Sequence, residues 1–213
     1  MTGALAPVVT LVPPSTSGPM QHHKLDDDAL MLLAAGGDQR AFATLVRRHE
    51  QAVRRFLSRI VGTADAVDLA QECFVKLWRA SDRYRAEGRF TVFLYRVAKN
   101  VAFSSLRWRR LRAAISLSTR PHDDDVSAPE SIAPDLDPLA RSLASEKSAE
   151  LNAILSGLKV ELRVVLVLRH AEGLDYATIA RVLGISEENA RARASRGTAW
   201  LKAALDKRAG GTP

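Results

Sequence analysis

From Asp28 to Arg112 apolar residues recur every three or four positions, the period of a helix with one buried stripe. In "DAVDLAQECFVKLWRA", residues 65–80, Ala66, Leu69, Ala70, Cys73 and Leu77 fall on one stripe. Asp65, Asp68, Gln71, Glu72, Lys76 and Arg79 fall on the other face. The same period runs through "DDALMLLAAGG", "DQRAFATLVRRHEQAVRRFLSRIVG" and "RFTVFLYRVAKNVAFSSLRWRRLRAA". Helix stops are expected at Gly36-Gly37, Gly62-Thr63 and Gly88, where glycine suits a C-cap or turn. The acidic run Asp26–Asp28, which with His22 and His23 could also be drawn as a metal cluster, sits where a helix wants its N-cap and first turn; capping is the expected role. No strand alternation appears. The pattern predicts an all-α fold whose helices pack by their apolar stripes.

The pattern also divides the chain. Residues 1–24 are rich in Pro, Ser, Thr and Gly and are expected to be a disordered tail. Residues 25–112 make a first helical domain. Residues 113–144 include "STRPHDDDVSAPESIAPDLDP" and are expected to be a flexible acidic linker. Helical periodicity returns over 145–206, a second domain, and residues 207–213 are a tail that should fray.

The second domain carries the anatomy of a helix-turn-helix in "LDYATIARVLGISEENARARASRGTAWLKAAL". Asp175 is placed to cap a short helix whose Ile179, Ala180, Val182 and Leu183 point inward. Gly184 makes the turn, Ile185 plugs the angle, and Ser186 caps a second helix that begins at Glu187. The front of that second helix would enter a major groove, offering Glu188, Asn189, Arg191, Ala192, Ser195 and Arg196 to base edges. Arg193 and Lys202 suit phosphates, while Ala190, Ala194 and Trp200 are expected in the core.

Charge sharpens this picture. The 213 residues carry a formal net charge of +7 and an isoelectric point near 10.0, which favours a polyanionic partner. The cations gather between Arg79 and Arg112. There the helix from Phe90 buries Leu94, Val97, Ala98, Val101 and Leu106, leaving Phe93, Tyr95, Arg96, Lys99, Asn100, Phe103, Arg107, Trp108, Arg109 and Arg110 on its other faces. The stretch before it adds Arg83, Tyr84, Arg85 and Arg89. Cations interleaved with rings suit unpaired bases, although rings at helical spacing also fill cores. The single Cys73 cannot form an internal disulfide and reads as a small buried hydrophobe. No apolar run is long enough to cross a bilayer, so no membrane insertion is expected, and the chain is expected in the cytoplasm. There is no P-loop, no catalytic carboxylate pair and no histidine motif, so the expectation is a non-enzyme with no cofactor, no metal site and no catalytic residue.

With both halves read, the chain resembles the extracytoplasmic-function group of bacterial sigma factors, promoter-specificity subunits of RNA polymerase. "DAVDLAQECFVKLW" resembles the family's polymerase-binding helix, "FTVFLYRVAKNVAFSSLR" its promoter-melting helix, and "LKVELRVVLVLRHAEGLDYATIARVLGISEENARARASRG" its C-terminal helix-turn-helix. The resemblance covers about residues 28–112 and 145–205. It implies that Asp65, Asp68, Gln71 and Glu72 contact core polymerase. By position it implicates Arg85, Arg96, Lys99, Asn100 and Arg107 in a single-stranded minus-10 element. It assigns Ser186, Glu188, Asn189, Arg191, Arg193, Ser195 and Arg196 to a duplex minus-35 element. Promoter DNA, core polymerase and an anti-sigma factor are the implied partners. The chain departs from the family pattern at Phe93, where tryptophan is usual, at Lys159, where proline is usual, and at Glu188–Ala190, where "GTV" is usual. The last departure keeps the family's minus-35 sequence preference from being borrowed. A stand-alone helix-turn-helix repressor or activator is the competing expectation. It has no use for the acidic front of residues 65–72.

Overall fold

The computed structural model describes residues 22–86, 89–116 and 150–209, and all of their regular structure is helical. The N-terminal domain is built from α1 (Asp27–Ala35), α2 (Gln39–Val61), α3 (Ala66–Arg79) and α4 (Phe90–Ser116). The C-terminal domain comprises α5 (150–156), α6 (Val160–Leu166), α7 (Tyr176–Leu183) and α8 (Glu187–Ala209). The expected tail as far as residue 21, the helix stop at Gly88 and most of the expected linker lie outside the described residues.

Local chemistry fixes the helix starts. Asp26 accepts a hydrogen bond from the Ala29 N–H at 2.7 Å, and Asp38 accepts from Arg40 and Ala41 at 2.9 and 3.1 Å. Each satisfies amides that a first helical turn leaves without partners. The expected stripe of Ala66, Leu69, Ala70, Cys73 and Leu77 is buried, packed with Leu30, Leu45, Phe56, Ile60 and Leu94. Burying each of the larger side chains contributes about 1.5–3 kcal/mol relative to exposure.

Several expectations need correction. Residues 22–24 are not part of the tail: they form a 3-10 turn, His22 is buried, and its Nε2 lies 3.0 Å from Asp38 Oδ2. Arg48 holds the same turn by donating to the carbonyls of His23 and Leu25 at 2.7 and 2.8 Å. Composition could not reveal an arginine more than twenty residues away that supplies the order. The linker does not begin at residue 113, because Ala113, Ala114 and Ile115 continue α4 to Ser116. Trp200 is not core; it lies against Gly157, where a Cβ would come within 2.9 Å of its ring, and stays 37% exposed. Val97 and Leu106 are only partly buried. Tyr95, expected on the open face of α4, is buried: its ring packs edge-on against Phe56 of α2 and its hydroxyl meets Glu172 of the other domain.

The helix-turn-helix forms as its sequence indicates. Asp175 accepts from the Thr178 N–H at 2.6 Å, Gly184 turns the chain at φ +70°, and Ser186 Oγ accepts from the Asn189 N–H at 3.1 Å. The turn between α6 and α7 was not legible: Val167–Ala171 is π-helical, with the Glu172 N–H reaching the Val167 carbonyl at 3.2 Å. That turn places Glu172 against the N-terminal domain. Tyr95 donates to Glu172 Oε2 at 2.5 Å, and Arg59 Nη1 lies 3.8 Å from its Oε1. Nearby, Arg163 donates to the Ile60 carbonyl at 2.7 Å and Arg96 to the Arg181 carbonyl at 2.8 Å. Burial lowers the Arg163 pKa, and burial followed by the Glu172 carboxylate raises that of Tyr95.

Candidate functional site

Three surfaces carry the chemistry expected from the sequence. On α3 the exposed face presents Asp68, Gln71 and Glu72. Glu72 pairs with Lys76 one turn later at 2.6 Å, and Asp65 is braced by Arg109 of α4, which also donates to the Val61 carbonyl at 2.6 Å. Asp68, Gln71 and Glu72 face solvent, and the surface pair of Asp65 with Arg109 joins the start of α3 to α4. Beside Gln71 a cleft of about 350 Å³ opens between α2 and α3, lined by Val46, Glu50, Arg54, Val67 and Phe74. Val67 is exposed there, and Val75 is exposed on the same helix. Val46, Glu50 and Arg54 went unnoticed in the sequence. Their spacing of four residues is the signal that would have found them.

On α4, Arg96, Lys99, Asn100 and Arg107 share one face, since their separations follow the helical repeat. Arg96, Asn100 and Arg107 are exposed, whereas Lys99 is partly buried, and burial followed by the neighbouring Arg96 lowers its pKa. At the head of this face lies a cleft of about 230 Å³. Arg83, Arg85, Arg89 and Arg96 supply its charge, and Tyr84, Val92 and Phe93 supply its apolar wall. The Tyr84 and Phe93 rings lie 5.2 Å apart, and Phe93 is partly buried against the core, so it is both wall and packing. Trp108, further along α4, is 62% exposed and can offer its ring. Arg181 of α7 also lines the cleft.

On α8 the exposed residues Glu188, Arg191, Ser195 and Arg196 project beside the half-buried Asn189 and Arg193. Arg193 Nε donates to Asn189 Oδ1 at 3.0 Å, which makes these two a unit. Arg191 pairs with Glu187 and lies 5.0 Å from the centre of the Tyr176 ring. Ser186 is spent on the helix cap. Among the described residues no three His, Cys, Asp or Glu side chains gather as a metal site. Cys73 is buried, which pushes its thiol up to about 12, so the reactive thiolate is scarce at neutral pH.

A helical domain with a cationic, ring-bearing groove, together with a helix-turn-helix, is the architecture of a transcription factor. Comparison with known proteins gives the family. Residues 45–112 match the model for sigma-70 region 2, and residues 148–201 match the model for sigma-70 region 4. The chain is 32% identical over 168 residues to the ECF RNA polymerase sigma-E factor of Escherichia coli (strain K12), covering 75% of this chain and 84% of that protein. It is 32% identical over 180 residues to the RNA polymerase sigma-H factor of Pseudomonas aeruginosa, covering 80% of this chain and 87% of that protein. Among solved structures it is similar to CnrH in complex with the cytosolic domain of CnrY, with TM-score 0.62 and 27% identity over 85% of this chain and 97% of that one. The chain belongs to the extracytoplasmic-function branch of the sigma-70 family, the RNA polymerase sigma factors.

Proposed function

We propose that this sigma factor docks on core RNA polymerase through the outer face of α3, with Asp68, Gln71 and Glu72 as its polar contacts. The cleft lined by Val46, Glu50 and Val67 extends that surface onto α2. Asp65 acts through its pair with Arg109, holding α3 in place. The groove on α4 captures the opened minus-10 strand: Arg85, Arg96, Lys99, Asn100 and Arg107 hold backbone and base edges. The recognition helix α8 reads the minus-35 duplex with Glu188, Asn189, Arg191, Ser195 and Arg196. Arg193 positions Asn189 and meets phosphate, and Ser186 fixes the helix start.

The observation that carries this reading is the cleft at the head of α4, whose arginines surround the apolar wall formed by Tyr84 and Phe93. Separating one stacked base step costs about 1.4 kcal/mol. Stacking on an open ring, such as Trp108 or the uncovered part of Phe93, returns about 1–3 kcal/mol for each captured base. A few captured bases therefore offset a short bubble, and no nucleotide hydrolysis by this chain is required. It acts in the cytoplasm, without enzymatic activity of its own. In the docked arrangement Arg96 is engaged with the Arg181 carbonyl. The promoter strand and α7 therefore compete for one groove, and the domains separate when the holoenzyme engages DNA. An anti-sigma factor is the expected inhibitory partner; the CnrH relative was solved with the cytosolic domain of CnrY bound.

Permanganate footprinting of the holoenzyme on its promoter tests the assignment. Arg96→Ala with Arg107→Ala should lose reactive thymines around minus 10 while duplex protection at minus 35 persists. Arg191→Ala with Arg196→Ala should lose both. Unaltered thymine reactivity in the α4 variant would contradict the groove assignment.

A further inference from the structure

The acids Asp26, Asp27 and Asp28 look interchangeable in sequence, and the fold gives each a different task. Asp26 caps α1. Asp27 pairs with Arg48 and His49, both at 2.7 Å. Asp28 does neither. Its Oδ1 accepts the phenol proton of Tyr84 and, at 3.2 Å, the backbone N–H of Arg89. One carboxylate oxygen thus ties both sides of the connection that enters α4.

Each bond has a consequence for the cleft. Arg89 is the residue whose carbonyl accepts the first bond of α4, from the Phe93 N–H at 3.0 Å, so its own N–H lies at the open end of that helix. A carboxylate there accepts from an amide at the helix start and suits the positive end of the helix dipole. This acceptor comes from α1, 61 positions away in the sequence. Tyr84 is 5% exposed, its ring packs on Phe90 and Phe93, and it lines the cleft between Arg83 and Arg85. Rotation of that ring would move the apolar wall and the arginines on either side of it.

We propose that Asp28, through Tyr84 and the Arg89 amide, is the positioning residue that sets the shape of the base-capturing cleft and hence which minus-10 base it accepts. The inference rests on reading the α4 groove as the minus-10 site. Asp28 itself touches no base. It acts on base choice by fixing the wall and the arginines.

The test uses the full chain with core polymerase on a promoter pool randomised across minus 10, sequencing the transcripts to give a base preference at each position. Asp28→Ala should flatten the preference at the cleft's position by about tenfold, the scale of losing hydrogen bonds to a charged group. Core-polymerase affinity should stay within about twofold, as for changes remote from an interface. Asp28→Asn keeps an oxygen acceptor and should restore most of the preference. Tyr84→Phe should reproduce part of the loss. A uniform fall in transcription with an unchanged preference profile would overturn the proposal, because a merely structural strut behaves that way. Arg85→Ala and Arg96→Ala distinguish the two levels. If they change the profile and Asp28→Ala does not, the positioning role fails alone; if they leave it unchanged, the groove reading fails and the positioning role with it.

Discussion

Tyr95→Phe removes a single oxygen atom at the junction between the two domains. In the wild type that phenol donates to Glu172 Oε2 at 2.5 Å, and the Glu172 side chain is only 5% exposed. Its other oxygen has Arg59 Nη1 at 3.8 Å, too far for a good hydrogen bond. Phenylalanine leaves a buried carboxylate poorly satisfied wherever the domains remain docked, whereas undocking lets water solvate it. Losing a hydrogen bond to a charged group costs about 1.5–3 kcal/mol. That energy shifts the docked-to-separated ratio by a factor of about 10–150. The bonds from Arg163 to Ile60 and from Arg96 to Arg181 remain, so the change is a shift in population. Single-molecule energy transfer between dyes at Gln51→Cys and Asp206→Cys would read it, since both native residues are exposed. The variant should show a larger low-transfer population with unchanged far-ultraviolet circular dichroism. An unchanged transfer distribution would refute the reasoning. Loss of helical signal would refute it too, by showing that Tyr95 supports a domain core.

Gly184→Ala forces a side chain into a left-handed turn at φ +70° with nothing within 4 Å to clash, so the penalty is conformational strain alone. It should cost about 1–2 kcal/mol, read as a lower urea midpoint. The Asp175 carboxyl is held below its ordinary pKa by the Thr178 backbone N–H, then by the Thr178 side chain. A lowered folded-state pKa stabilises the fold above the unfolded value and ceases to do so as pH falls through the folded value. The stability gap between wild type and Asp175→Ala should therefore be full at pH 7 and shrink below about pH 4. A gap that grew on acidification would contradict that cap. Cys73 should react with Ellman's reagent only after unfolding, because burial holds its thiol up at about 12; rapid labelling of the native chain would contradict the buried placement.

Legibility in the sequence followed the range of the interaction. The stripe through Leu69 and Cys73, the caps at Asp26, Asp175 and Ser186 and the turn at Gly184 rest on contacts within a few residues, and each appears in the fold. Features set by distant partners were not legible. The order of residues 22–24 comes from Asp38 and Arg48, the burial of Tyr95 from Phe56 and Glu172 together, and the hold on Tyr84 from Asp28. The π-helical turn at Val167–Ala171 has no glycine or proline to announce it. The helical repeat keeps Arg96, Lys99, Asn100 and Arg107 off the apolar stripe of α4, on its open side. That α7 would dock onto that face, with Arg96 bound to the Arg181 carbonyl, depended on packing between separate domains.

We propose that the acidic outer face of α3 is what makes this chain a subunit of RNA polymerase. Start-site-resolved transcription in vitro tests it most directly, with purified chain, bacterial core polymerase and a pool of genomic promoter fragments, alongside the Asp68→Lys, Glu72→Lys double variant. Discrete starts that require the chain and disappear with the double variant, while its circular dichroism is unchanged, are the predicted result. Starts that survive the double variant, or a chain that protects duplex DNA alone and yields no start-specific transcript, would rule out this role for α3.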